Sequence, residues 1–278
     1  MILLRADHLK KTYKKIKAVD GVSFHIHTGE IFGLLGENGA GKTTVIKMLS
    51  TLTKPDSGSA KMLGVNIFTN NFFAREQIAI VPQEINLDNE LCVQDNLYIY
   101  AKLHKVENAK KRVADVLSQF GIAEKAKERV SDLSGGQKRR VMLTRVMLGD
   151  PKLIFMDEPT IGLDPSIRKD IWQMIRHIKE SGKSVLLTTH YTDEAEQLCG
   201  RVALMQKGKL VKTGSPAKLV EQAGSLAVDM ALGRAQVTKM FPSDAELIQY
   251  VKKHNINDYS IHKPRLEDVL LDMKEDCP

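Results

Sequence analysis

Disulfide and zinc chemistry are the first things this sequence has too little material for. Its 278 residues hold three cysteines, Cys92, Cys199 and Cys277, with no C-x-x-C pair and no histidine cluster beside them. An odd, dispersed set excludes a disulfide framework or a structural zinc site and leaves isolated reduced thiols. Aromatic residues are also scarce, at 5% with a single tryptophan. The net charge of +7 could attract nucleic acid or an anionic membrane surface. Without a zinc finger or a nucleic-acid-binding sheet motif it reads as a solvated basic surface, and no nucleic acid partner is expected. Missing too is any run near the roughly eighteen apolar residues of a membrane helix. The start, MILLRADHLKK, meets charge too soon for a secretory signal, so a cytoplasmic location is expected.

What is present has the balance of an ordinary soluble globular protein, 42% hydrophobic and 27% charged, long enough for one large domain or two smaller ones. Up to about Pro82, short apolar runs such as EIFGLLG and QIAIVP alternate with glycine-rich turns and predict strands. KTTVIKMLSTL predicts one helix among them. From about Glu84 to Gly149, VQDNLYIYAKLHKV and AKKRVADVLSQFGI space their apolar residues three or four apart, as amphipathic helices do. Strand–helix alternation resumes with KLIFMDE, IRKDIWQMIRHIKESG, SVLLTTH and RVALMQKGKLVKTG. The pattern predicts an α/β nucleotide-binding core interrupted by a helical insertion at about 84–149. Gly214-Ser215-Pro216 punctuates the chain, and 215–278 reads as a small C-terminal region.

The chemistry sits at fixed places in that pattern. GENGAGKT, from Gly36 to Thr43, fits G-x-x-x-x-G-K-[ST] between an apolar strand and a helix. Gly36, Glu37, Asn38, Gly39, Ala40, Gly41, Lys42, Thr43 and the following Thr44 form the candidate phosphate cradle. Its glycines let backbone N–H groups wrap phosphates, Lys42 neutralises their charge and Thr43 offers a hydroxyl to Mg²⁺. LIFMDE places Asp157 and Glu158 at the C-terminal end of an apolar strand, where open α/β sheets bind ligands. Side chains alternate along a strand, so Asp157 can hold the metal while Glu158 orients or deprotonates water. His190 ends SVLLTTH within reach of a γ-phosphate. Gln83, after IAIVP, offers a neutral amide able to sense Mg²⁺ or the attacking water, and Tyr13 a flat face for adenine.

A second anion-seeking surface lies in DLSGGQKRRVMLTRVML. Ser134, Gly135 and Gly136 directly precede a predicted helix, whose start carries positive potential, yet no lysine stands among them. The basic KRR that follows reads as the polar face of that helix.

Together, in order, Tyr13, the Gly36–Thr43 loop, Gln83, LSGGQ at Leu133–Gln137, LIFMDE, GLD at Gly162–Asp164 and His190 resemble the ATP-binding cassette family. The resemblance is to the nucleotide-binding subunit of a transporter and covers about Ile2 to Pro216. It implies a P-loop NTPase core, RecA-like, with an antiparallel β subdomain and the inserted α-helical subdomain, spanning 1–214. It also implies ATP and Mg²⁺ as cofactors, and a head-to-tail pair in which Ser134, Gly135, Gly136 and Gln137 of one copy close over ATP held by the other. Asp164 would then lie at the seam. A separate permease subunit is implied, docked near Glu84 to about Leu103 and holding the chain at the inner face of a prokaryotic membrane.

Several stretches, among them GENGAGKTTVIKMLSTLTKPDSG, THYTDEAEQLCGRVALMQKGKL and the closing PRLEDVLLDM, look like the drug-resistance branch of the family. Export of a small molecule is the function this implies; an importer subunit or a non-transport ATPase of the same fold is the alternative. Gly200 departs from the family, which usually has Asp there, and puts one local contact in doubt.

Overall fold

The computed structural model describes residues 1–232 and 235–275. In chain order, β1 (Ile2–Tyr13) and β2 (Ile16–His27) form a long hairpin, and β3 (Ile31–Leu35) runs through the glycine loop into α1 (Lys42–Leu49). β4 (Ser57–Met62) and β5 (Val65–Asn66) return to the hairpin before α2 (Asn71–Gln77) and β6 (Ile78–Val81). α3 (Val93–Leu103), α4 (Ala109–Gln119) and α5 (Gly135–Arg145) form the helical segment. Next come β7 (Leu153–Asp157), α6 (Pro165–Glu180), β8 (Ser184–Thr189), α7 (Thr192–Leu198), β9 (Arg201–Gln206) and β10 (Lys209–Gly214). The C-terminal region adds α8 (Pro216–Ala223), β11 (Leu226–Leu232), β12 (Ala235–Phe241), α9 (Asp244–His254), β13 (Tyr259–His262) and α10 (Leu266–Glu275).

Three sheets result among the described residues. The antiparallel one has the order β2-β1-β4-β5, the central one β10-β9-β3-β8-β7-β6, and the C-terminal one β12-β11-β13. In the central sheet β9, β3, β8, β7 and β6 run parallel and β10 adds an antiparallel edge. Every residue of β3, β7 and β8 is buried, as parallel strands covered on both faces require. β10 alternates half-buried and exposed positions, the pattern of an edge strand. The helical segment joins β6 to β7, which pair directly from Ile78 with Leu153. It is therefore an enlarged crossover between neighbouring strands.

Two features lie beyond the sequence expectations. α2 was not foreseen, because seven residues are too few to display a period; Asn70 starts it by accepting the Phe73 N–H at 3.2 Å. α8 and α10 also bury Leu219, Leu266 and Val269 in the main core, while Val228, Met230, Phe241, Leu247 and Ile256 form a separate small one. Of the three thiols, Cys92 and Cys199 are free and Cys277 lies outside the described residues. No helix among the described residues is long and apolar enough to cross a membrane.

Candidate functional site

The strand order brings the separate motifs together. β8 lies between β3 and β7, with Leu35 opposite Thr189 and Asp157 opposite Thr188. The glycine loop after β3, the carboxylates ending β7 and His190 after β8 therefore emerge side by side at the C-terminal edge, the usual ligand edge of such sheets.

The loop is shaped by contact as well as by torsion. Gly41 has φ +107, and a Cβ there would lie 2.1 Å from the Ala18 carbonyl oxygen. Only glycine fits where the loop turns into α1. Lys42, 4% exposed, donates from Nζ to the Gly36 and Glu37 carbonyls at 2.7 and 3.0 Å and pairs with Glu158 Oε1 at 3.2 Å. Thr44 follows it on the first turn of α1, half-buried. Gly36, Glu37, Asn38, Gly39 and Ala40 line a cleft of about 980 Å³ with Arg168, His190, Tyr191, Lys207 and part of α10.

At the end of β7, Asp157 Oδ1 accepts hydrogen bonds from Thr188 at 2.5 Å and Thr43 at 3.2 Å. The two adjacent carboxylates do not diverge by strand alternation. The strand ends at Asp157, and Glu158 sits at φ +47, a left-handed conformation that costs energy for a residue with a side chain. Its N–H donates to the Thr188 carbonyl at 3.1 Å and to the Thr188 hydroxyl at 3.0 Å, which holds the turn. Its Oε2 lies 3.1 Å from His190 Nδ1. Thr188 thus holds the Asp157 carboxylate and the Glu158 backbone; the doublet in LLTTH is its sequence signal.

Gln83 and Tyr13 stand apart from these contacts. Gln83 is exposed, and its backbone carbonyl accepts from Arg139 Nη2 at 2.5 Å, while Arg139 Nη1 donates to the Pro82 carbonyl at 2.7 Å. Arg145 holds the same loop at Asn86, through the side-chain oxygen at 2.5 Å and the carbonyl at 3.2 Å. The KRR reading is therefore corrected: Arg139 is 3% exposed and faces inward, because the loop after β6 offers carbonyls to it. Burial pulls its pKa below the usual arginine value, and the opposing charge of Glu194 partly restores it. Tyr13 ends β1, exposed, with Lys11 Nζ 5.7 Å from its ring centre.

Ser134, Gly135, Gly136 and Gln137 are held locally, outside the residues lining the cleft. Ser134 caps α5 by accepting the Gln137 N–H at 3.3 Å, and the Gln137 side chain accepts the Ser134 N–H at 2.8 Å, a reciprocal capping box. A Cβ on Gly135 would meet nothing within 4 Å, whereas one on Gly136 would approach Ile167 Cγ2 to 2.6 Å. Gly136 is thus a packing glycine and Gly135 an open one. Asp164 precedes α6, exposed, without capping it through its side chain. Gly200 also faces open space, its neighbour Arg201 pairing with Glu30 at 3.2 Å.

The donors fit magnesium in the company of phosphates. Thr43 and Asp157 present oxygen only, and no group of three or more His, Cys, Asp or Glu among the described residues forms a cage for a metal. Mg²⁺ is commonly held in this way, by few protein oxygens plus phosphate and water.

Known proteins resemble this chain in sequence and in fold. The family described as ABC transporter matches residues 19–161. The chain is 43% identical over 216 residues to the Nod factor export ATP-binding protein I of Paraburkholderia xenovorans (strain LB400), covering 77% of this chain and 71% of that protein. It is 36% identical over 267 residues to the linearmycin resistance ATP-binding protein LnrL of Bacillus subtilis (strain 168), covering 95% and 84%. Among solved structures, cbiO1 of Clostridium perfringens, part of the transporter complex cbiONQ, superposes with a TM-score of 0.73 at 29% identity, covering 78% of this chain and 90% of that one. A dimeric ATP-binding cassette in a post-hydrolysis state, bound to ADP and Pi, gives 0.68 at 25% identity, covering 77% and 98%. This chain, with its phosphate loop, paired carboxylates and histidine on one sheet edge, belongs to the ABC transporter family as an ATP-binding, ATP-hydrolysing subunit.

Proposed function

We propose that two copies of this chain sandwich two ATP molecules head to tail and drive export of a small molecule through a separate permease. The observation that carries the pairing is the split between two phosphate-seeking surfaces. One is the cleft at Gly36–Ala40; the other is the capped, open start of α5, whose bonds are all local. A helix start with an uncrowded glycine and no lysine before its fourth residue suits phosphate brought by another copy. Export is supported by the names of the relatives, which concern Nod factor export and linearmycin resistance. In this reading the chain works at the cytoplasmic face of a prokaryotic membrane. Residues 1–214 form the ATPase domain, with the insertion at about 84–149 and residues 215–278 as the appended region.

Each residue then has a task. Incoming phosphates compete with Glu158 for Lys42, and so release the carboxylate from its 3.2 Å ion pair. Glu158, still beside His190, orients the attacking water and accepts its proton; His190 faces the γ-phosphate. Thr43 and Asp157, with Gln83 from the neighbouring loop, would hold Mg²⁺, which neutralises charge on the phosphates. Tyr13 stacks on adenine and Asp164 lies at the seam between copies.

Ser134→Arg tests the pairing. Nucleotide binding by the monomer should stay near that of the unmodified chain while hydrolysis fails. Loss of ATP binding by the monomer would sink the half-site assignment. Export is tested with the co-purified permease in inside-out vesicles, where ATP should drive accumulation inside; movement in the opposite sense would refute it.

A further inference from the structure

The machinery described so far leaves two buried carboxylates unused, Asp268 on α10 and the more deeply buried Glu194. Glu194 on α7 is fully buried, and its Oε1 accepts two hydrogen bonds, from the Thr160 hydroxyl at 2.7 Å and the Trp172 indole N–H at 3.0 Å. Its Oε2 is buried outside any hydrogen bond of normal geometry, with the Thr189 hydroxyl nearby. Burying a carboxylate with one oxygen poorly satisfied costs stability, so packing does not account for a glutamate here. An apolar side chain would fill the space at less cost, yet could not accept both donors.

The two donors sit at instructive places. Thr160, itself fully buried, lies in the tight turn between Glu158 and Asp164, where Ile161 N–H meets the Glu158 carbonyl and Leu163 N–H meets the Thr160 carbonyl. Trp172 is on α6, the helix that Asp164 begins. Glu194 itself is three residues into α7, which starts directly after His190 and Tyr191. One carboxyl oxygen therefore ties together the turn carrying Glu158, the helix led by Asp164 and the helix trailing His190. A second clamp closes the same joint: Arg168 on α6 pairs with Asp193 at 2.8 Å and lies 4.5 Å over the Tyr191 ring.

We propose that Glu194 is a positioning residue for ATP hydrolysis, fixing Glu158 against His190 and setting Asp164 relative to both. Burial raises the pKa of Glu194, while the nearby Thr189 hydroxyl and the hydrogen bonds from Thr160 and Trp172 oppose that rise. The inference rests on the reading of Glu158 as the group that handles the attacking water.

The experiment compares Glu194→Ala, Glu194→Gln and Thr160→Val in the chain assembled with its permease. ATP affinity is read with a fluorescent nucleotide, and kcat from phosphate release. Glu194→Ala should lower kcat between about tenfold and a hundredfold, the usual result of misplacing reacting groups by around an ångström. ATP affinity should stay within about twofold, since the phosphate loop is untouched. Glu194→Gln keeps the acceptor oxygen and should restore kcat to within about threefold of the unmodified chain. If the alanine variant does not fold, Thr160→Val carries the same expectation of lowered kcat with affinity kept. Unchanged kcat in Glu194→Ala, or in Thr160→Val where the alanine variant does not fold, overturns the proposal. So does a Gln variant no better than Ala, or affinity and melting temperature falling together with kcat. Glu158→Gln run alongside separates the two readings: full activity in that variant refutes the base itself, whereas an inactive Glu158→Gln beside an active Glu194→Ala refutes only the positioning role.

Discussion

Glu158 concentrates the costs of this site in a single residue. It occupies a left-handed backbone conformation, is 7% exposed, and divides its carboxylate between Lys42 and His190. Such strain persists only where surrounding bonds hold it, here the two bonds from its N–H to Thr188. Glu158→Gln should bind ATP normally and hydrolyse it about a hundredfold to ten-thousandfold more slowly, the range for loss of a general base. Filter-bound nucleotide and phosphate release measure the two quantities. Gly200 lies at the opposite extreme. Its added Cβ meets nothing and its φ is not left-handed, so Gly200→Asp should shift stability by no more than about 0.5 kcal/mol in a denaturant titration. The departure from the family pattern is local, because Arg201 already finds Glu30.

At the scale of elements, α5 does two jobs with its two ends. Its start presents Ser134 and Gly135, and its buried arginines grip the loop that carries Gln83. The two glycines of the motif should separate cleanly by substitution. Gly136→Ala pushes a methyl into Ile167 and should cost about 1–3 kcal/mol, seen as a lower melting temperature. Gly135→Ala meets open space and gains helix propensity, so the monomer should melt no lower, while hydrolysis by the pair falls. In the sequence both belong to one anion-seeking surface, since nothing local distinguishes them. The distinction comes from α6, which enters the chain some thirty residues later. Arg139 is hidden for the same reason: an arginine between a lysine and another arginine looks solvated until its carbonyl partners are placed.

At the scale of the whole molecule, the C-terminal region is anchored through its helices. Leu219, Leu266 and Val269 extend the main core, and the Leu266 N–H donates to Glu196 on α7 at 2.9 Å. Ending the chain at Gly214 should therefore expose apolar surface on α7 and lower the melting temperature by several degrees, roughly the effect of 1–2 kcal/mol in a domain of this size or more. Differential scanning calorimetry checks this; an unchanged melting temperature would show that the helices merely rest on the core.

The sequence by itself determined the chemistry and most of the elements. GENGAGKT, the apolar run before Asp157 and Glu158, and the capped start of α5 are short-range signals, each complete within about a dozen residues. Only the tertiary structure decided which of them meet. Placing β8 between β3 and β7 puts Thr188 against Asp157 and His190 against Glu158, and folding α6 onto α7 gives Glu194 its two donors. Strand order and helix docking follow from burying whole apolar faces at once, a property of the assembled core that no local period records.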